Sequence, residues 1–191
     1  MGIDKTIKSR RSIRKYKSKT PNWRKIFDAL NLALYAPMAG GHFTMKFMLI
    51  DDEKKIKKIA QWSEQQFIAQ AKYVVVFVSD SKRLLGSYGK EKGEIFCRQQ
   101  AGAAIQNFLL KIQDNKLSTC WIGYFNEEEI KKVLKIPTNK NIEAIFPIGF
   151  ANEKPREKPE NDLGDSMYFN EWGNNRMRSI EKIEGRHPEG Y

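Results

Sequence analysis

Cysteine is nearly absent from this 191-residue chain, with Cys97 and Cys120 the only two. Two cysteines cannot make a disulfide framework, so a reducing, cytoplasmic setting is expected. The two histidines, His42 and His187, do not combine with them at zinc-site spacing, and no metal is expected. Long apolar runs are missing too. The densest, Tyr73–Val78, falls far short of the ~18 residues of a membrane span and reads as a buried strand. The basic N-terminus has no apolar stretch behind it, which speaks against a secretory signal. Met1–Thr6 fits a loose myristoylation pattern, but nothing else speaks for lipid attachment, so no membrane partner is expected. The chain has no internal repeat, no paired carboxylates, and no Ser-His-Asp or Cys-His constellation. Gly86, Gly89-Lys90 and Gly93 do not make a P-loop, because the spacing is wrong and no Ser or Thr follows the lysine. Apolar residues at 40% and aromatics at 12% are enough for a packed core, which excludes wholesale disorder and points to one domain with at most an extension.

Charge of one sign is abundant. The chain holds 34 Lys and Arg against 23 Asp and Glu, a net charge of +11, which raises the possibility of a nucleic-acid or other polyanion partner. Its distribution argues otherwise. Residues 1–25 carry ten basic groups against Asp4 alone, a net +9; residues 26–151 carry +4 and residues 152–191 carry −2. The excess is a local anion site plus lysine-rich helix faces, and nucleic acid becomes an unlikely partner.

Periodicity organises the rest. A short first helix is expected over Asp4–Ser9. A second starts at the N-cap Asn22, with Ile26, Leu30, Ala33 and Leu34 on one face, and runs up to Pro37. Met38–Gly41 is a loop, Met45–Ile50 a strand, Glu53–Trp62 an amphipathic helix, and Gln65–Gln70 a further helical turn. Lys72–Ser79 is the clearest strand. Asp80–Gly93, polar and punctuated by glycine, reads as a loop or mobile excursion. Glu94–Asp114 is the longest helix, and its Ala101-Gly102-Ala103-Ala104 stretch suits a close helix–helix approach. Leu117–Ile122 is a strand, Asn126 caps a helix through Leu134, and Asn141–Phe150 is the last strand. The interleaving gives an α+β domain with a mixed sheet flanked by helices. After Ala151 the sequence turns irregular, so residues 1–150 are expected as the core and 151–191 as an arm that packs on a partner subunit.

Three stretches carry chemistry. Arg10, Arg11, Ser12 and Arg14 place three guanidiniums and a hydroxyl within five residues, a pattern that serves a phosphate, a nucleic-acid arm or a solvated tail. Ala36–Phe43 is a proline-ended helix followed by small residues, either an ordinary turn or a backbone open to a planar ligand. Ser118–Phe125 runs a strand into Gly123, with Trp121 and Phe125 as core aromatics or as ligand walls.

In order and spacing these stretches resemble the FMN-dependent nitroreductase family. The resemblance is carried by R-x-S-x-R at Arg10–Arg14, A-P-x-A-G at Ala36–Gly40, Gln106–Leu110 of the long helix, Thr119–Phe125, Glu128–Pro137, Ile148–Phe150 and Asn152–Pro155. It covers roughly residues 3–172. It implies an intertwined homodimer that exchanges C-terminal arms and binds FMN at the subunit interface. NAD(P)H is the implied reductant and a nitro, quinone or related compound the acceptor. Arg10, Arg11, Ser12 and Arg14 would hold the FMN phosphate, ribityl chain and pyrimidine edge. Gln100 would meet the flavin from the long helix. Trp121, Ile122 and Gly123 would line the ring, with the Gly123 N–H at flavin N5. Pro37, Met38 and Ala39 would come from the partner, and Arg156 and Lys158 are the nearest matches to a further basic pair at the phosphate. Three positions depart from the family pattern. Met38 stands for the usual serine, Gly41 for the asparagine and Phe43 for the glutamine, which makes the pocket more apolar. Reductive dehalogenation or flavin processing is therefore the alternative activity within the family.

Overall fold

The computed structural model describes residues 2–159 and 161–175. The chain divides into two compact units, residues 1–155 and 156–191. In the first, α1 (Ile3–Ser9) and α2 (Trp23–Ala33) precede β1 (Met45–Ile50), α3 (Glu53–Trp62) and β2 (Tyr73–Ser79). Then come α4 (Lys82–Tyr88), α5 (Lys90–Asp114), β3 (Ser118–Thr119), α6 (Glu127–Leu134) and β4 (Asn141–Gly149). The strands form one antiparallel sheet in the order β1-β2-β4-β3. The described part of the second unit is irregular apart from a short helical turn at Gly164–Ser166. Among the described residues no helix is long and apolar enough to cross a membrane.

β2 sits inside the sheet and is covered on both faces, which is why its sequence is a nearly unbroken apolar run. Val75 and Phe77 join Phe108, Phe146 and Ile148 in a core beneath α2 and α5. Val74, Val76 and Val78 pack with Ile56 and Ile59 of α3 and Ile130 of α6 on the opposite face. Phe77 is the hub of the first core, with ring centroids 5.2 Å from both Phe108 and Phe146. Two caps form where the sequence places them, Asn22 accepting from the Arg24 N–H and Asn126 from Glu129, and Asp52 also caps α3 by accepting from Lys54 and Lys55.

Three expectations are corrected. The stretch Asp80–Gly93 is helical, made of α4 and the first turn of α5. Of its three glycines, only Gly89, at φ 76°, turns the chain. Gly93 instead lets α4 approach closely, because a Cβ there would lie 2.8 Å from the Leu84 backbone. Leu84 is fully buried, and that burial holds the excursion in place. Second, α2 ends at Ala33, short of Pro37. Third, the strand expected over Leu117–Ile122 is a ladder only at Ser118–Thr119 and rejoins β4 at Ile122, which exchanges two 3.0 Å bonds with Ile145. The register does not slip. Between these pairs Cys120 comes opposite Pro147, which has no N–H to give.

Candidate functional site

The basic N-terminal segment is stitched into the sheet edge. Ser12 forms a parallel bridge with Thr119, and the Ile13 N–H donates to the Thr119 carbonyl at 3.0 Å. Tyr16 bridges to Ala151, and the Lys17 N–H donates to the Phe150 carbonyl. The buried Tyr16 hydroxyl donates to the Ile13 carbonyl at 2.6 Å and lies 3.3 Å from that of Pro147. Burial, followed by the neighbouring Cys120, pushes the Tyr16 phenol far above its ordinary range, so it remains a donor. Glu153 accepts from the Arg14 and Lys15 backbone N–H groups.

These anchors set the direction of the arginines. Arg11 folds back on α1, donating to the carbonyls of Lys8 at 2.6 Å and Arg10 at 3.0 Å, as a cation at a helix C-terminus does. Arg10, Ser12 and Arg14 instead all act on the Cys120 thiol, Ser12 by a hydrogen bond and the arginines by charge. Burial pushes the Cys120 thiol up, against the opposing pull of Arg14, the Ser12 hydroxyl and Arg10. Among the described residues, neither the Arg10 nor the Arg14 guanidinium has a hydrogen-bond or ion-pair partner. Thr119, beside Ser12, has a buried hydroxyl with no partner either.

Beyond Cys120 the chain alternates in and out. Ile122 is fully buried and its backbone is committed to Ile145. Trp121 is 44% exposed, with its ring edge-on to Phe146 at 5.8 Å. Gly123 is exposed, makes no backbone hydrogen bond among the described residues, and has only the Trp121 ring within 4 Å of where a Cβ would stand. The result is an indole face beside an open N–H, a surface suited to a flat heterocycle.

A second group forms at the end of α2. Pro37, Met38 and Ala39 line a cavity of about 280 Å³ with Phe96, Gln99, Gln100 and Ala103 of α5. The following turn uses Gly40 at φ 56° and Gly41 at φ 71°. Gln100 is 3% exposed. Its carbonyl oxygen accepts from the Thr44 N–H at 2.9 Å and the Thr44 hydroxyl at 3.1 Å, and its amide donates to the His42 carbonyl at 3.0 Å. It therefore holds the strand that leaves the turn. Arg156 and Lys158 are exposed and belong to the second compact unit.

The sequence reading missed Tyr16, Thr119, Phe96 and Gln99. Only Tyr16 left a signal, as an aromatic two residues past the arginines, among lysines.

The model of the nitroreductase family matches residues 7–72 and 60–150. An Archaeoglobus fulgidus protein with the provisional name NADH dehydrogenase/NAD(P)H nitroreductase is 26% identical, over 78% of this chain and 86% of its own length. The iodotyrosine deiodinase of Thermotoga neapolitana is 22% identical, over 82% of this chain and 92% of its own. Among solved structures, an FMN-dependent nitroreductase of Clostridium difficile is 26% identical with a TM-score of 0.75, covering 87% of this chain and 98% of its own.

Proposed function

The chain belongs to the nitroreductase family, and from that premise we propose that it is an FMN-dependent oxidoreductase reducing a small organic acceptor with NAD(P)H. For a quinone acceptor, one NAD(P)H and one proton yield the oxidised nicotinamide and the hydroquinone. The observation that carries the reading is that Arg10, Ser12 and Arg14 all act on Cys120 while neither guanidinium has a hydrogen-bond or ion-pair partner among the described residues, the neighbouring Glu153 carboxylate being held by the Arg14 and Lys15 backbone N–H groups. Two unpaired guanidiniums next to an unsatisfied buried hydroxyl, Thr119, fit a phosphorylated ligand. The exposed Trp121 face and the Gly123 N–H, on the same strand, fit its ring.

A bound FMN supplies the redox chemistry, relaying the electrons of NAD(P)H to the acceptor. The chain's residues bind and orient. In this reading Arg10, Ser12 and Arg14 hold the phosphate and polar chain and Trp121 fixes the plane of the ring, while Ile122, expected from the resemblance to line the ring, is buried and instead ties this stretch to Ile145. The Gly123 N–H donates where charge builds up on reduction. Arg156 and Lys158 are candidates for further phosphate contacts. Gln100 acts by holding His42–Thr44, and with them the Pro37–Ala39 wall. A homodimer in which Pro37, Met38 and Ala39 complete the partner's site is part of the proposal. Among the described residues no hydrogen bond or ring contact joins these residues to the arginine group within one chain. Residues 151–191 would be the arm that covers the second copy. The likeness to a deiodinase supports reductive dehalogenation as a second reading, in line with the apolar Met38.

The absorbance spectrum of the purified protein, before and after NAD(P)H, tests the reading. A flavin band that bleaches with NAD(P)H is expected, as is a thermal shift with added FMN. A colourless protein with no shift would refute it. Arg14→Ala is expected to weaken FMN binding about ten- to a hundredfold, by the ~1.5–3 kcal/mol of a charge-assisted hydrogen bond. Unchanged affinity in a fluorescence titration would remove Arg14 from the site.

A further inference from the structure

Helices α3 and α6 cover one face of the sheet, and their cover stops short of the end where β1 begins and β2 finishes. On this face β1 presents Ile50, Met48 and Lys46 in turn. Ile50 is buried, Met48 half-buried and Lys46 exposed. Lys46 stands opposite Val78 of β2. The uncovered corner is a cleft of about 250 Å³, closed on its far side by the turn after α6. That turn is fixed in advance. Lys135, at φ 57°, caps α6 by donating its N–H to the carbonyls of Lys131 and Lys132, and the Ile136 N–H returns to the Lys131 carbonyl at 2.9 Å. The buried Lys131 ammonium pairs with Glu127 at 2.9 Å and donates to the Thr138 carbonyl at 3.3 Å, which pins the turn to its helix.

The lining divides in two. Met48, Val78, Leu134 and Ile136 give it apolar walls, and its charged groups are Lys46, Lys135, Lys140 and Asp80, three lysines less one aspartate, or +2. The carboxylate is already used. Asp80 pairs with Lys140 at 2.7 Å and accepts from the Lys82 N–H, and the Lys140 bond holds its carboxyl below the ordinary range, so it stays ionised and paired. The Ser79 hydroxyl is committed to Glu143. Lys46 and Lys135 are left, and among the described residues neither ammonium has a hydrogen bond or ion pair. A cation would be repelled here. Inorganic phosphate would leave the apolar walls empty, and an uncharged arene would leave both lysines to water. The volume lies just below the ~300–1,000 Å³ of drug-sized pockets, which calls for a compact ligand. We propose that this cleft binds a small organic anion, with an apolar body against Met48, Val78, Leu134 and Ile136 and a carboxylate held by Lys46 and Lys135. The site is separate from the arginine segment, which bridges to β3 at one edge of the sheet, whereas Lys46 belongs to β1 at the other. It does not depend on the flavin reading.

Isothermal titration calorimetry of the full chain, with whatever flavin it carries, tests the site with three probes. They are 1-naphthoate, the uncharged 1-naphthalenemethanol with the same body, and acetate with the charge alone. Naphthoate should bind about tenfold more tightly than either, since one charge-assisted hydrogen bond is worth that factor or more. Lys46→Glu and Lys135→Glu, both at exposed positions, should each weaken naphthoate about tenfold or more and leave naphthalenemethanol unchanged. Lys57→Glu, at an exposed position of α3 outside the cleft, changes the net charge equally and should have no effect. Naphthalenemethanol binding as tightly as naphthoate overturns the anion, and acetate binding as tightly overturns the apolar body. Naphthoate binding that survives both cleft variants overturns the site, and its loss in Arg14→Ala would place the anion on the arginine segment instead. No naphthoate binding at millimolar concentration overturns the site outright. A colourless protein that binds naphthoate as expected refutes the flavin reading and leaves this one standing.

Discussion

Gly149 lies beneath the ring of Tyr16, and a Cβ there would come within 2.7 Å of the ring. The ring has no slack, because its hydroxyl is tied to Ile13 and sits by Pro147. Gly149→Ala must therefore push the 10–17 segment off the sheet edge. The expected loss is about 1–3 kcal/mol, the usual scale of overpacking, read as a lowered denaturation midpoint, with FMN affinity falling alongside. At this scale the sequence was informative where residue type alone fixes chemistry. Three arginines and a serine within five residues suggest an anion site. It said nothing of Arg11 turning back to cap α1, nor of Gln100 bracing His42 and Thr44. Both depend on which backbone carbonyls and N–H groups tertiary folding brings within reach.

α4 and the start of α5 show the limits of local reading among the elements. Glycine and polar residues predict a loop over Asp80–Gly93, since each glycine lowers helix propensity. Burial of Leu84 against Gly93 outweighs that, and Gly93 is tolerated in α5 because α4 needs the space. Gly93→Ala, neutral or favourable in an isolated helix, is expected here to cost about 1–3 kcal/mol and to raise proteolysis within 82–93. A stabilised protein would show that the α4–α5 contact is slack. The starts of α2 and α6 were legible because Asn22 and Asn126 are strong caps, and β2 because it is too apolar for anything but a central strand. β3 was overread, since the proline that interrupts its ladder lies on β4, 27 residues further along.

On the scale of the whole molecule, one chain leaves large apolar side chains in solvent. Tyr35 is 79% exposed, and Ile3, Ile7, Phe27 and Met38 are exposed as well. Tyr35 shares an apolar groove with Ile3, Leu32 and Leu110, between α1, α2 and α5. Under the proposed homodimer this surface meets a second copy. Tyr35→Lys separates the possibilities. On a free surface it should alter stability by about 0.5 kcal/mol or less. In an interface it should convert a dimer to a monomer in sedimentation velocity and release FMN. A wild-type monomer that retains FMN would refute the shared site.

The sequence by itself determined the class of the fold, most of its elements and the place of the basic segment. Those follow from periodicity, caps and the charge of individual side chains, all local properties. Its net charge of +11 read as a nucleic-acid signal until its position along the chain reduced it to nine charges in 25 residues. Only the tertiary structure decided that Arg10, Ser12 and Arg14 act on Cys120, that Pro147 opens the edge beside Trp121, and that Tyr88 leans on Gly40. Each of these joins residues tens of positions apart, where geometry is set by packing against the sheet and leaves no mark in local sequence.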